Sequence, residues 1–249
     1  MGEPPTVSSP VATDDTLLGG QVRFRQPAKG YRVAIDPVLL AAFVTARTGE
    51  AVLDAGCGVG AAALCLLRRV PECRVTGLEI DGELAALARE NAELNGMTGA
   101  FRVIEGDVAA PPATLKPGTF EHVMMNPPFH EKGRTQESPV AAKARANVES
   151  AAGLADWIML ASVMLCPRGI VSLIHRADRL DHVVSALSAH GFCGVTAVPL
   201  LPGAGRPAKR VLVRAERGGA AGLTLLPGLV LHDATGQFTK EADRILRDG

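Results

Sequence analysis

The chain of 249 residues predicts an α/β fold: a mostly parallel, seven-stranded sheet with helices on both faces and an antiparallel pair at its end. Three observations carry this. Short β-branched apolar runs alternate with helix-length segments from residue 50 onward, the first run turns into its helix through glycines, and the last two runs are joined by a Gly-Pro turn without a helix. Hydrophobic residues make up 47% of the chain, enough to bury one large core.

Residues 1–13, rich in Pro, Ser and Thr, read as a disordered N-terminus. Residues 14–49 read as a basic hairpin and a helix. VRFR alternates between the breaks Gly19-Gly20 and Pro27-Ala28-Lys29-Gly30, while IDPVLLAAFVTARTG predicts a helix with Asp36 at its N-cap, Pro37 in its first turn and Gly49 as its stop. Residues 50–249 form the main domain. AVLDAG, CRVTGLEID, FRVIEGD and EHVMMN are its first four strands, with GAAALCLLRRV and GELAALARENAELNG as helices after the first and second. After a loop of about twenty polar residues come the helix LADWIMLASVMLC, the strand GIVSLIHR, the helix RLDHVVSALSAHG and the strand pair CGVTAVPLL and KRVLVRAE. The tail, LPGLVLHDATGQFTKEADRIL, adds an irregular strand and a short helix.

Composition narrows the function classes. No apolar run reaches the roughly 18 residues of a membrane span, and the N-terminus lacks a basic and apolar leader, so a cytoplasmic protein is expected. Five cysteines without a C-x-x-C pair, and six histidines without ligand spacing, indicate neither disulfides nor a metal site. Formal net charge is zero, so bulk electrostatics do not select a nucleic-acid partner. The cations are unevenly placed, however: Arg23, Arg25, Lys29 and Arg32 lie in one acid-free run, and Arg206, Lys209, Arg210, Arg214 and Arg217 in a second run against Glu216 alone.

The first strand ends in Asp54, then Gly56, Gly58 and Gly60. Glycines at that turn let a ligand approach the backbone where a Cβ would block it. Gly56-x-Gly58-x-x-Ala61, with Glu79 about twenty residues on, also fits a dinucleotide fingerprint, which keeps a nicotinamide-dependent oxidoreductase as an alternative. Against it, the Asp54 carboxylate would repel a pyrophosphate and suits an ammonium. Asp107, closing the third strand, can accept from an adenine amino group, and Ile80 and Val108 follow the second and third acids. An amine, a ribose diol and an adenine are the parts of S-adenosylmethionine, which has no phosphate.

The fourth strand runs into Asn126, Pro127, Pro128 and Phe129. Prolines end the strand, since they donate no backbone hydrogen bond. The Asn126 side-chain carbonyl and the rigid Pro127 backbone carbonyl form two acceptors for an NH₂ group. They would orient it and stabilise the positive charge that develops as it attacks a methyl group, and Asn126 also stands within reach of the cofactor. Phe129 supplies a stacking surface for a planar target. His130 reads as a loop histidine rather than a base.

With VLDAGCGVG, LEID, EGD and NPPF in this order, the chain resembles the Rossmann-like class I S-adenosylmethionine-dependent methyltransferases over residues 50 to 176. NPPF resembles the N-P-P-[YF] motif of those acting on adenine N6, guanine N2, cytosine N4 or a glutamine amide. The motif alone leaves these targets open, as it leaves a non-catalytic RNA scaffold to be weighed. The layout LLGGQVRFRQPAKGYRVAIDPVLLAAF before the glycine loop, with the closing LVLHDATGQFTKEADRIL, is similar to the bacterial tRNA1(Val) adenine-37 N6-methyltransferase family. That resemblance implies a tRNA substrate with an anticodon-loop adenine flipped into the NPPF pocket. It further implies Tyr31 and Asp36 as cofactor contacts, phosphate contacts from Arg23, Arg25, Lys29, Arg32, Arg206, Lys209 and Arg210, and Lys132, Arg134, Lys143 and Arg145 over the target base.

Overall fold

In the computed structural model, residues 12–29, 32–128 and 152–248 are described. The central sheet is built from β3 (Ala51–Ala55), β4 (Arg74–Glu79), β5 (Phe101–Glu105), β6 (Phe120–Met125), β7 (Leu165–Arg176), β8 (Phe192–Gly203) and β9 (Arg210–Arg217). Their spatial order is β5-β4-β3-β6-β7-β9-β8, and β9 alone runs against the others. Two further strands, β10 (Leu223–Leu225) and β11 (Leu229–His232), pair parallel to the outer edge of β8. The sheet therefore has nine strands rather than the expected seven. β8 is 12 residues long, about twice an ordinary strand, and its edge accommodates two short tail segments in succession.

The chain steps from β3 outward to β4 and β5, then returns to the other side of β3 with β6. This reversal opens a crevice at the carboxyl ends of β3 and β6, where ligands of parallel sheets bind. Side chains alternate across the sheet with period two. Val52 and Met124 enter one core with α1 (Asp36–Phe43), α2 (Ala61–Arg69) and part of α3 (Gly82–Leu94), while Leu53, Val123 and Met125 enter the other with α4 (Leu154–Met164) and α5 (Leu180–Ala189). The last helix, α6 (Lys240–Asp248), packs beside α1.

The N-terminal hairpin pairs β1 (Ala12–Leu17) with β2 (Val22–Pro27). Ala12 and Thr13 thus belong to a strand, not to a disordered tail, because Val22, Phe24 and Gln26 bury one face of the ribbon while Arg23 and Arg25 point outward. Two asparagines of α3, one turn apart, hold the edge of β2. Asn91 accepts from the Arg25 N–H (2.6 Å) and donates to its carbonyl (2.9 Å), and Asn95 does the same for Arg23 at 3.0 and 2.6 Å. Each carboxamide replaces a neighbouring strand's peptide group, so an otherwise open edge is satisfied.

Two boundaries differ from expectation. α1 stops at Phe43 rather than near Gly49, because Val44 is extended and the Arg69 guanidinium donates to the carbonyls of Ala41 (2.8 Å) and Val44 (2.5 Å), which end the helix. Nor is Asp36 its N-cap: Ile35 holds that position without a side-chain bond, and Asp36 is the first helical residue.

Candidate active site

Parallel pairing sets the site. Ala55 of β3 is aligned with Leu78 of β4 and Met125 of β6, so the next residues, Gly56, Glu79 and Asn126, emerge side by side at the crevice. Gly56 has φ +65°, and a Cβ there would lie 2.4 Å from Cη2 of Trp157 in α4. Gly60, at φ +84°, opens α2, and its Cβ would meet the Phe101 ring at 2.7 Å. Both positions therefore exclude larger residues by packing as well as by conformation.

The acids behave differently from one another. Glu79 is buried, and its two oxygens accept from the N–H groups of Gly58 (2.7 Å) and Asp81 (3.0 Å). Burial raises its pKa, against those two bonds, which lower it. Asp54 is only 3% exposed, and its Oδ2 is buried without a hydrogen-bond partner. Burial first, and the neighbouring Glu79 charge second, push its carboxyl up to about 8. Such a carboxyl is protonated at neutral pH, and a cation brought against it would ionise it. Asp107 lies two residues past β5 and accepts from the Ala109 N–H (2.9 Å) in a local turn. Ile80 is 39% exposed beside Glu79, an apolar surface for a planar ring, whereas Val108 is buried.

At the end of β6 the Asn126 Oδ1 is also buried and has no hydrogen-bond partner among the described residues, Pro127 is buried and Pro128 exposed. The site thus presents two orphaned acceptors, Asp54 Oδ2 and Asn126 Oδ1, on neighbouring strands. Phe129, His130, Lys132, Arg134, Lys143 and Arg145, and also Tyr31, lie outside the described residues. Among the described residues, no group of three or more His, Cys, Asp or Glu side chains could hold a metal ion.

The expected phosphate contacts divide. In the hairpin, Arg25 pairs with Asp14 (3.1 Å) and Glu90 (3.8 Å), and Arg32 with Asp15 (2.8 Å), acids supplied by β1 and α3. Arg23 and Lys29 are exposed. In the second run, Arg206 and Lys209 are exposed on the turn from β8 to β9, at the same sheet edge as Asn126. Arg210 meets Asp36 at 3.4 Å, Arg214 covers the Phe43 ring at 5.3 Å, and Arg217 donates to the Leu165 carbonyl.

Sequence reasoning missed two elements of the site. Trp157, the chain's single tryptophan, buttresses Gly56 from the first turn of α4. Asn91 joins the hairpin to the glycine loop by donating also to the Val59 carbonyl (2.9 Å). The signals were present: a lone indole soon after NPPF, and asparagines four apart on an otherwise amphipathic helix.

Known proteins place this architecture. Residues 34–151 match the methyltransferase small domain family. A tRNA1(Val) (adenine(37)-N6)-methyltransferase of Aeromonas hydrophila is 30% identical over 211 residues, covering 84% of this chain and 85% of the relative. One of the same description from Porphyromonas gingivalis is 29% identical over 230 residues, covering 86% of each. Among solved structures, a predicted O-methyltransferase of Agrobacterium tumefaciens superposes with a TM-score of 0.70 at 29% identity, over 86% of this chain and 95% of that one. With its glycine loop, its buried Asp54 and its Asn126-Pro127-Pro128 exit in these positions, the chain belongs to the tRNA1(Val) (adenine(37)-N6)-methyltransferase family of S-adenosylmethionine-dependent enzymes.

Proposed function

We propose that the protein methylates the exocyclic N6 of an adenine in tRNA, and that this adenine is position 37 of the valine tRNA named for its relatives. The observation that carries the reading is the buried, unpartnered Asn126 Oδ1 one strand from the glycine loop. S-adenosylmethionine supplies an electrophilic methyl group on a sulfonium. Asp54 would hold its ammonium, Glu79 its ribose, Ile80 and the Asp107 turn its adenine, and the glycine backbone its closest approach.

The rest is work for this chain's own groups. The amino group of adenine is a weak nucleophile because its lone pair is delocalised into the ring. Asn126 Oδ1 and the Pro127 carbonyl accept its two N–H bonds, which aligns the lone pair and favours the charge that grows on nitrogen. A preorganised acceptor of this kind lowers the barrier by about 3–4 kcal/mol. Asn126 is rigid there because Pro127 and Pro128 fix the turn behind it. Exposed Arg206 and Lys209 face the substrate backbone from the same edge, whereas Arg23 is bonded to Asn95 at the far end of α3, away from the crevice. A tRNA substrate supports reading the activity as cytoplasmic.

The test is labelled S-adenosylmethionine with tRNA from a strain lacking the enzyme, followed by digestion to nucleosides. Label in N6-methyladenosine is expected. Label in methylguanosine, in a 2′-O-methylated nucleoside or only in protein contradicts the reading.

A further inference from the structure

We infer that Arg206 and the stacked rings of His232 and Phe238 form a subsite for one unpaired nucleotide of the substrate RNA, away from the base that enters at Asn126. The inference rests on the tRNA reading above and adds a second point at which the strand is held. The subsite lies where β8 ends beside β11. Met125 is level with Leu173, Val213 and Ala197 across the sheet, and His232 pairs with Gly203, the last residue of β8. Both strands therefore project roughly 16 Å beyond the level of Asn126, at about 3.3 Å per residue, and β11 stands four strands, roughly 19 Å, to the side. They rise from the same carboxyl edge as the crevice, so an RNA strand leaving Asn126 reaches them within a few nucleotides.

A cavity of about 360 Å³ opens there, with Pro202, Gly203, Ala204 and Arg206 on one side and His232 and Asp233 on the other. Its volume falls in the range of small-ligand sites, about 300–1,000 Å³. The Arg206 stem crosses the end of β8: a Cβ on Gly203 would stand 3.7 Å from the Arg206 Cδ and from the His232 carbonyl oxygen. The Arg206 side chain is exposed and makes no hydrogen bond or ion pair among the described residues. In this it differs from Arg210, set against Asp36, and from Arg214, set over Phe43. His232 is held in place, since its Nδ1 donates to the Pro202 carbonyl (3.1 Å) and its ring stacks on Phe238 with centroids 4.8 Å apart and planes at 26°. Phe238 is not among the cavity walls, so it backs the imidazole from outside. Asp233 fixes the turn between the two rings: its Oδ1 accepts from the Thr235 N–H (2.8 Å), the Thr235 hydroxyl (2.6 Å) and the Gln237 N–H (3.2 Å). Its Oδ2 has no partner among the described residues and can accept from a base's amino or imino N–H. The cavity thus offers a guanidinium to a phosphate, a braced ring to a base and a carboxylate oxygen to the base's polar edge, the three parts of a nucleotide.

The test measures tRNA affinity against salt concentration for the intact protein and for Arg206→Gln, His232→Ala, His232→Phe and a control. The control is Arg168→Gln, whose arginine pairs with Glu216 at the opposite end of β7. Binding of S-adenosylhomocysteine, followed by Trp157 fluorescence, and the thermal midpoint report on folding. Arg206→Gln should bind tRNA about three- to tenfold more weakly at low salt and lose about 1 from the slope of log K against log [salt]. His232→Ala should bind about tenfold more weakly with the slope unchanged, since a stacking contact releases no counterions. His232→Phe keeps a ring and should stay within about threefold of the intact protein, and the control should keep both affinity and slope. A folded His232→Ala that binds as tightly as the intact protein, or an Arg206→Gln that keeps the full slope, overturns the inference and leaves the tRNA reading standing. An equal loss in His232→Ala and His232→Phe also overturns it, because the contact is then not stacking. If His232→Ala does not fold, Arg206→Gln, on an exposed turn, decides the question. Absence of any salt-dependent tRNA binding by the unmutated protein overturns both this inference and the tRNA reading.

Discussion

The two sides of the crevice between β3 and β6 carry their polar groups in opposite ways. On the β4–β5 side they are carboxylates fixed by backbone N–H donors: buried Glu79 is held by Gly58 and Asp81, and half-buried Asp107 by Ala109. Asp54 alone is left with a free oxygen there. On the β7–β9 side the polar groups are guanidiniums at the rim, half-exposed and paired with acids that solvent also reaches. The difference suits the ligands proposed above. A small cofactor is swallowed whole, so its partners must be desolvated and pre-placed, whereas an RNA backbone lies on the surface and is held by many weak, salt-sensitive contacts. Asn126 stands at the seam: the residue is half-exposed, its Oδ1 is buried, and the proposal aims that oxygen at the target amine.

The sharpest way to break this division is Asn126→Ala. It should lower kcat by about 10²–10³ while S-adenosylhomocysteine affinity stays within about threefold, measured by single-turnover transfer and by fluorescence titration. Next in size, Asn91→Ala removes three bonds that join the hairpin, α3 and the glycine loop. It should cost about 2–4 kcal/mol in urea unfolding, because two carbonyls and an N–H lose their partner.

A pH titration tests the cofactor side. The Asp54 carboxyl is raised to about 8 in the ligand-free fold, so binding an ammonium must expel a proton. Affinity for S-adenosylhomocysteine should then climb by up to about tenfold per pH unit from about pH 6 to 7.5, and Asp54→Asn should bind more weakly with a flat profile. For stability the sign is opposite. The folded pKa lies above the unfolded value of 3.8, so Asp54 supports the ligand-free fold fully below that value and loses its support as pH rises through about 8. Thermal midpoints with and without ligand should diverge over this window. The smallest effect belongs to the hairpin: Arg25 is paired on an exposed face, and Arg25→Ala should change stability by less than about 0.5 kcal/mol.

The cofactor side was the legible half. Asp54, Gly56, Gly58 and Gly60 follow one strand directly, and Glu79 and Asn126 each close or follow a strand, so strand ends read from apolar runs sufficed to bring them together. The far side was obscure because its charges meet only through pairing: Arg176 and Arg210 are 34 positions apart in number, and only the antiparallel register of β7 and β9 makes them neighbours. The hairpin's run of four cations contains no acid, yet Asp14 and Asp15, a few positions earlier, meet two of those cations across the strand pair, which the pairing register shows and the run itself does not. Trp157 and Asn91 belong to no motif, since each acts through backbone it packs on or bonds to, and their signals are weaker than those of the strand ends.

The division at the crevice predicts that loss of Asn126 separates binding from transfer. The direct measurement is one experiment on one sample: Asn126→Ala is titrated with S-adenosylmethionine while Trp157 fluorescence is read, then given unmodified tRNA and assayed for N6-methyladenosine. Retained fluorescence response with methyl transfer reduced by about 10² or more is the result expected of a residue that orients the target amine. Loss of the fluorescence response, or transfer at the unmutated rate, contradicts it.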